Sequence, residues 1–121
     1  MNFCWVTLPV KDFEKSLDFY HGLLGLPVDS KMVGEGIEMA MLGEKEQPKV
    51  EIIHLAEYGD RSFASDITIG LAVESMESTL EFLKEKGIPV LRGPISPNPN
   101  LQFIYINDPD GYEVQLVEMR G

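Results

Sequence analysis

From Phe3 to Val10 the chain is rich in β-formers and reads as a strand; from Phe13 the apolar period changes. Phe13, Leu17 and Tyr20 fall at i, i+4 and i+7, one face of a helix, with Asp12 placed to cap its start and Gly22 and Gly25 to end it. Three strands should follow: Pro27 to Met32, Ile37 to Leu42 and Lys49 to Leu55. A turn at Gly34-Glu35-Gly36 and a charged loop over 43–48 separate them. Tyr58 to Ser65 offers few apolar residues to bury and reads as a link.

The same order then returns. Asp66 to Val73 reads as a strand, and Ser75 caps a helix with stripe Met76, Leu80 and Leu83, closed by Lys84, Lys86 and Gly87. Pro89 to Arg92 is expected to be a short strand. Gly93 to Asn100, with three prolines and two asparagines, is expected to be a loop placed as a lid. Leu101 to Ile106 and Tyr112 to Glu118 complete the pattern around the turn Asp108-Pro109-Asp110-Gly111.

This is an internal repeat. VTLPVKDFEKSLDFYHGLLGLPV, from Val6 to Val28, recurs as IGLAVESMESTLEFLKEKGIPV, from Ile69 to Val90. Val10 matches Val73, Glu14 matches Glu77, Leu17 matches Leu80, and Gly25-Leu26-Pro27-Val28 matches Gly87-Ile88-Pro89-Val90. Each copy is too small to bury a core alone, so one domain made of half 1–60 and half 66–121 is expected. Duplicated units pack about a pseudo-twofold axis, and ligand sites favour the cleft between such halves.

Strand alternation divides the side chains into two sets. Val6, Leu8, Val10, Val50, Ile52, Ile69, Leu71, Val73, Val114 and Leu116 form aliphatic faces that should meet the helices. The opposite faces carry Trp5, Thr7, Met39, Met41, Glu51, Ile53, Thr68, Phe103, Tyr105, Gln115 and Val117. Such a mixture of bulky apolar and polar groups suits a ligand cavity better than a dry core. Trp5, Phe103 and Tyr105 offer flat walls for stacking or cation–π contact, and Met39 and Met41 offer adaptable ones.

Composition narrows the function. The 121 residues are 44% hydrophobic and 25% charged, as in an ordinary globular protein. The net charge of −10 is spread along the chain, so nucleic acid and anionic membranes are disfavoured, while cationic ligands are drawn in. No apolar run is long enough to span a bilayer, and the N-terminus lacks the pattern of a signal peptide. The single cysteine, Cys4, suits a reducing compartment, so a cytoplasmic location is expected. His21 is expected to face solvent at a helix end. His54 should lie opposite Glu51, in a role at a strand end or dimer contact.

LPVKDFEKSLDFYHGLLGLPV near the start, KVEIIH midway and INDPDGYEVQLVE at the end carry a family resemblance over almost the whole chain. The chain resembles the vicinal oxygen chelate superfamily, which includes glyoxalase I, bleomycin-resistance proteins, fosfomycin-resistance enzymes and extradiol dioxygenases. The resemblance implies an α+β fold of two tandem βαβββ units, forming a curled mixed-sheet cup with helices outside, and a homodimer. It places the family's His and Glu metal ligands at Trp5, Glu51, Thr68 and Gln115. The repeat maps these positions onto each other with offsets of 63 (5 to 68) and 64 (51 to 115).

Of the four, Glu51 alone is a strong donor. No cofactor is therefore expected, although a loosely held divalent metal stays open. The expected function is binding of a small apolar, aromatic or cationic molecule at Trp5, Thr7, Met39, Met41, Glu51, Thr68, Phe103, Tyr105 and Gln115. The alternative is a lyase or isomerase of the glyoxalase type that uses Glu51 as base or weak metal ligand; desolvation of an inward Glu51 would favour that role.

Overall fold

A computed structural model of the chain describes residues 2–64 and 67–120. Ser65 and Asp66, expected at the end of the link and the start of the fifth strand, lie outside the described residues. Two compact units divide the chain, Met1–Ala64 and Ser65–Gly121.

In the first unit, β1 (Trp5–Pro9) leads through α1 (Phe13–Leu17) to β2 (Val28–Gly34), β3 (Ile37–Leu42) and β4 (Lys49–Leu55). Asp12 caps α1, its carboxylate accepting the Lys15 backbone N–H at 3.1 Å. Beyond Leu17 the helix widens into π-type turns over Asp18–Leu23, and Gly25 leaves it at φ +79°. The sheet order is β1-β4-β3-β2, with β1 parallel to β4 and the other pairs antiparallel. The parallel pair needs a crossover, which α1 supplies while packing on β3 and β4. Leu8, Ile52 and Ala40 form one row across the sheet, and each is wholly buried.

The link buries little, as expected: Ala56–Tyr58 forms a 3₁₀ turn with no buried residue, and Tyr58 meets Phe63 at a tilt with ring centroids 4.8 Å apart. Arg61 lies over the Phe63 ring.

The second unit repeats the architecture: β5 (Thr68–Ala72), α2 (Met76–Glu85), β6 (Arg92–Asn98), β7 (Leu101–Asn107) and β8 (Glu113–Met119), in sheet order β5-β8-β7-β6. Ser75 caps α2 through Ser78 N–H. Ile69, Val114 and Ile106 are buried in one row, and Leu71 joins buried Leu116 and Ile104 in another. The Asp108 carboxylate accepts the N–H groups of Asp110 and Tyr112 at 2.8 and 2.9 Å, which fixes the turn into β8.

One segment departs from the sequence reading. Of Pro89 to Arg92 only Arg92 is in a strand, where it opens β6, and the expected loop over Gly93 to Asn100 is mostly that strand. Prolines disfavour a central strand because they cannot donate to a ladder. β6 is an edge strand, paired on one side only, and its register against β7 shifts twice, between Arg92 and Ile95 and between Ile95 and Asn98. Two bulges on an unpaired edge accommodate Pro94 and Pro97.

β8 carries a polar anchor on its buried face. Glu118 is 6% exposed; its Oε1 accepts the Met76 backbone N–H at 2.7 Å, and its Oε2 pairs with Arg120. The N–H of the first helical residue, then the Arg120 side chain, hold this carboxyl below its ordinary value of 4.5. A depressed folded-state value means that the stabilisation is present above the unfolded value and is lost as pH falls through the folded one. Glu118→Gln is therefore expected to lower the urea midpoint at pH 7 and to flatten its decline below about pH 5. Parallel pH profiles for variant and parent would refute this role.

Candidate functional site

The register places the expected site residues of each unit on one face of its sheet. In the first unit Thr7, Glu51 and Met41 stand side by side across β1, β4 and β3. Pro9, Ile53 and Met39 form the next row, and Trp5 lies opposite Lys49. In the second unit the corresponding rows are Gly70, Gln115 and Tyr105, then Ala72, Val117 and Phe103, with Thr68 opposite Glu113. Each pair predicted by the repeat occupies the same ladder position in its own sheet.

Glu51 is part-buried and accepts the Thr7 hydroxyl at 2.6 Å. That short bond to a carboxylate is charge-assisted and fixes the side chain across the β1–β4 pair. The repeat mate of Thr7 is Gly70, so the second unit has no hydroxyl there. Its Gln115 instead donates through Nε2 to the Tyr105 hydroxyl at 3.2 Å. Phe103 meets Tyr105 edge-to-face with centroids 5.7 Å apart.

Sequence reasoning missed a charged pair on this second face. Arg92 forms a fork to Glu113, with Nη2 at 2.6 Å from Oε1 and Nη1 at 3.2 Å from Oε2. Its guanidinium also lies 4.1 Å from the centroid of the Tyr105 ring. The pair lowers the Glu113 carboxyl from its ordinary range and raises Arg92. Arg92 was hidden because it was read as the end of a short strand from Pro89, whereas it opens β6, most of which reads as a proline-rich loop. Glu113 was legible through the repeat, as the mate of Lys49.

The histidines serve the fold. His54 donates through Nδ1 to the Val10 carbonyl at 2.7 Å and meets Tyr58 edge-on, closing the end of the β1–β4 pair. His21 is exposed and bonds the Leu26 carbonyl beyond the helix.

The family resemblance implies a divalent metal, and the residues present do not fit one. Trp5 has no lone pair to give, Thr68 and Gln115 offer neutral oxygens, and one oxygen of Glu51 already accepts Thr7. Among the described residues no three His, Cys, Asp or Glu side chains are grouped to hold a metal ion.

A family model described as Glyoxalase/Bleomycin resistance protein/Dioxygenase superfamily matches residues 3–116. The chain is 32% identical over 127 aligned residues to a lactoylglutathione lyase of Oryza sativa subsp. japonica, covering 95% of this chain but 43% of that protein. It therefore spans less than half of the rice protein's length. It is 31% identical over 120 residues to a probable lactoylglutathione lyase of Synechocystis sp., covering 90% of this chain and 88% of the relative. Among solved structures, TnmS3, an antibiotic binding protein from a Streptomyces species, superposes with a TM-score of 0.77 at 20% identity, covering 98% of this chain and 96% of that one. At that identity the likeness concerns the fold alone. Among the described residues no helix is long and apolar enough to cross a membrane.

Proposed function

Because the chain belongs to the glyoxalase/bleomycin resistance protein/dioxygenase superfamily, we propose that it binds a small apolar, aromatic or cationic molecule and does so without a tightly held metal. The observation that carries this reading is the face around Glu51. A single carboxylate, fixed by Thr7, lies between the rows that hold Trp5 and Met39, with Met41 beside it. Such a face gives one polar anchor among apolar walls, the usual make-up of a small-molecule site. Thr68, Phe103, Tyr105 and Gln115 are proposed as ligand contacts on the second unit's face. A homodimer in the cytoplasm completes the proposal.

Elemental analysis of the purified protein tests the metal half of the reading. After anaerobic incubation with Ni²⁺, Co²⁺, Zn²⁺, Mn²⁺ and Fe²⁺ and then dialysis, the expected content is far below one equivalent. Near-stoichiometric retention would overturn the reading and make Glu51 the first ligand to mutate.

A second reading has its own support, since the curated relatives above are named as lactoylglutathione lyases. In that reading the chain is a lyase or isomerase, and Glu51 abstracts a proton next to a carbonyl. Thr7 would then orient the carboxylate, leaving its second oxygen to take the proton.

A further inference from the structure

The first unit holds a cavity of about 400 Å³ that the sequence reading did not find. It lies where β1 begins, against the β3–β4 loop. Its apolar wall includes Phe3, Trp5 and Met41, and its polar wall includes Asp29 and Glu46. Trp5 is 51% exposed and Phe3 68%, so flat aromatic surface is open to a ligand. Asp29 sits at the bulge between Val28 and Ser30, where it has no ladder partner on β3. Bulges re-aim side chains in this way. Glu46 lies in the loop at φ +67°, the left-handed region that a non-glycine residue seldom adopts. Among the described residues neither carboxylate makes a hydrogen bond or ion pair.

The charge of the occupant follows from Lys49. It is the one cation among the lining residues, and its ammonium is committed: Lys49 is 9% exposed and donates to the carbonyls of Glu44 and Gln47. An anion would find no uncommitted cationic group and would face two carboxylates. A cation would find both carboxylates and the π-face of an indole, the ring that attracts cations most strongly. We infer that this cavity binds small organic cations that carry a protonated amine on an aromatic or apolar body. The inference rests on the proposed binding function and adds Asp29 and Glu46 as the carboxylates that take the cationic end of the ligand.

Trp5 is the single tryptophan of the chain, so its fluorescence reports binding at this residue. The probe is phenethylammonium, with 3-phenylpropionate as its anionic match. Phenethylammonium is expected to change Trp5 emission saturably and to slow alkylation of Cys4, which also lines the cavity, by iodoacetamide. Phenylpropionate should do neither. The double variant Asp29→Asn, Glu46→Gln should weaken phenethylammonium by at least about tenfold, and Glu14→Gln, an exposed carboxylate of α1 outside the cavity, should leave it unchanged. Equal response to the anion, no saturable response to the cation, or an undiminished response in the double variant would overturn the inference. A response lost only in Glu51→Gln would also overturn it while leaving the proposed function standing.

Discussion

Gly93→Ala is expected to lose about 2–4 kcal/mol of stability, a fall in thermal midpoint on the order of 10 °C for a chain of this size. A Cβ built on Gly93 would stand 2.8 Å from the Phe103 carbonyl oxygen and 3.1 Å from the Ile104 Cα. Both obstacles are backbone of β7, so no side-chain rotation relieves them. The residue also sits at φ +106°, where an L side chain is strained in open space. Gly70→Ala is the matched control. It too is a strand glycine, but its added Cβ would lie 3.6 Å from Gln115 Oε1, an ordinary contact, and its midpoint should move by no more than a degree or two. Thermal melts of both variants check the pair. Equal losses would mean that glycine matters in these strands for a reason other than backbone approach.

Glu51→Gln should separate the two functional readings by orders of magnitude. Glutamine keeps the shape of the side chain and an oxygen to accept the Thr7 hydroxyl, so the fold around β1 and β4 should survive. A lyase that uses Glu51 as general base would lose roughly 10²–10⁴ in turnover, because an amide cannot take up a proton at neutral pH. The proposed binding protein has no such turnover to lose. Ligands that donate a hydrogen bond or a positive charge to Glu51 would weaken by about tenfold, and purely apolar ones would hold within about twofold. Assaying isomerisation of the hemithioacetal of methylglyoxal and glutathione in parent and variant decides the matter. Measurable parent activity that disappears in Glu51→Gln would replace the binding reading with the enzymatic one.

Much of the fold was legible because the signal is local and stated twice. Asp12 and Ser75 announce helix starts, and their side chains accept from backbone N–H groups three residues on. Alternation in β4 and β8 assigned Val50, Ile52, Val114 and Leu116 to the buried side, and all four are buried. The repeat then fixed which positions share a ladder place, so Glu51 and Gln115 fell on equivalent rows without any coordinates.

The failures came from properties that are not local. Gly93 to Asn100 reads as a loop because prolines cannot serve two neighbours. Only the sheet order reveals that β6 has one neighbour and can bulge around them. The Arg92–Glu113 pair joins residues 21 positions apart and depends on that same strand. The cavity at Trp5 collects residues from the chain start, the β2 bulge and the β3–β4 loop, segments whose approach no periodicity encodes. Sequence by itself determined the two βαβββ units and their buried faces, since each follows from residue type and spacing, while the family resemblance implied the loss of strong metal donors at three of its four ligand positions. Tertiary structure decided what Glu51 bonds to, where Arg92 lies and which carboxylates flank the tryptophan, because hydrogen bonds and cavities form between segments that only strand pairing brings together.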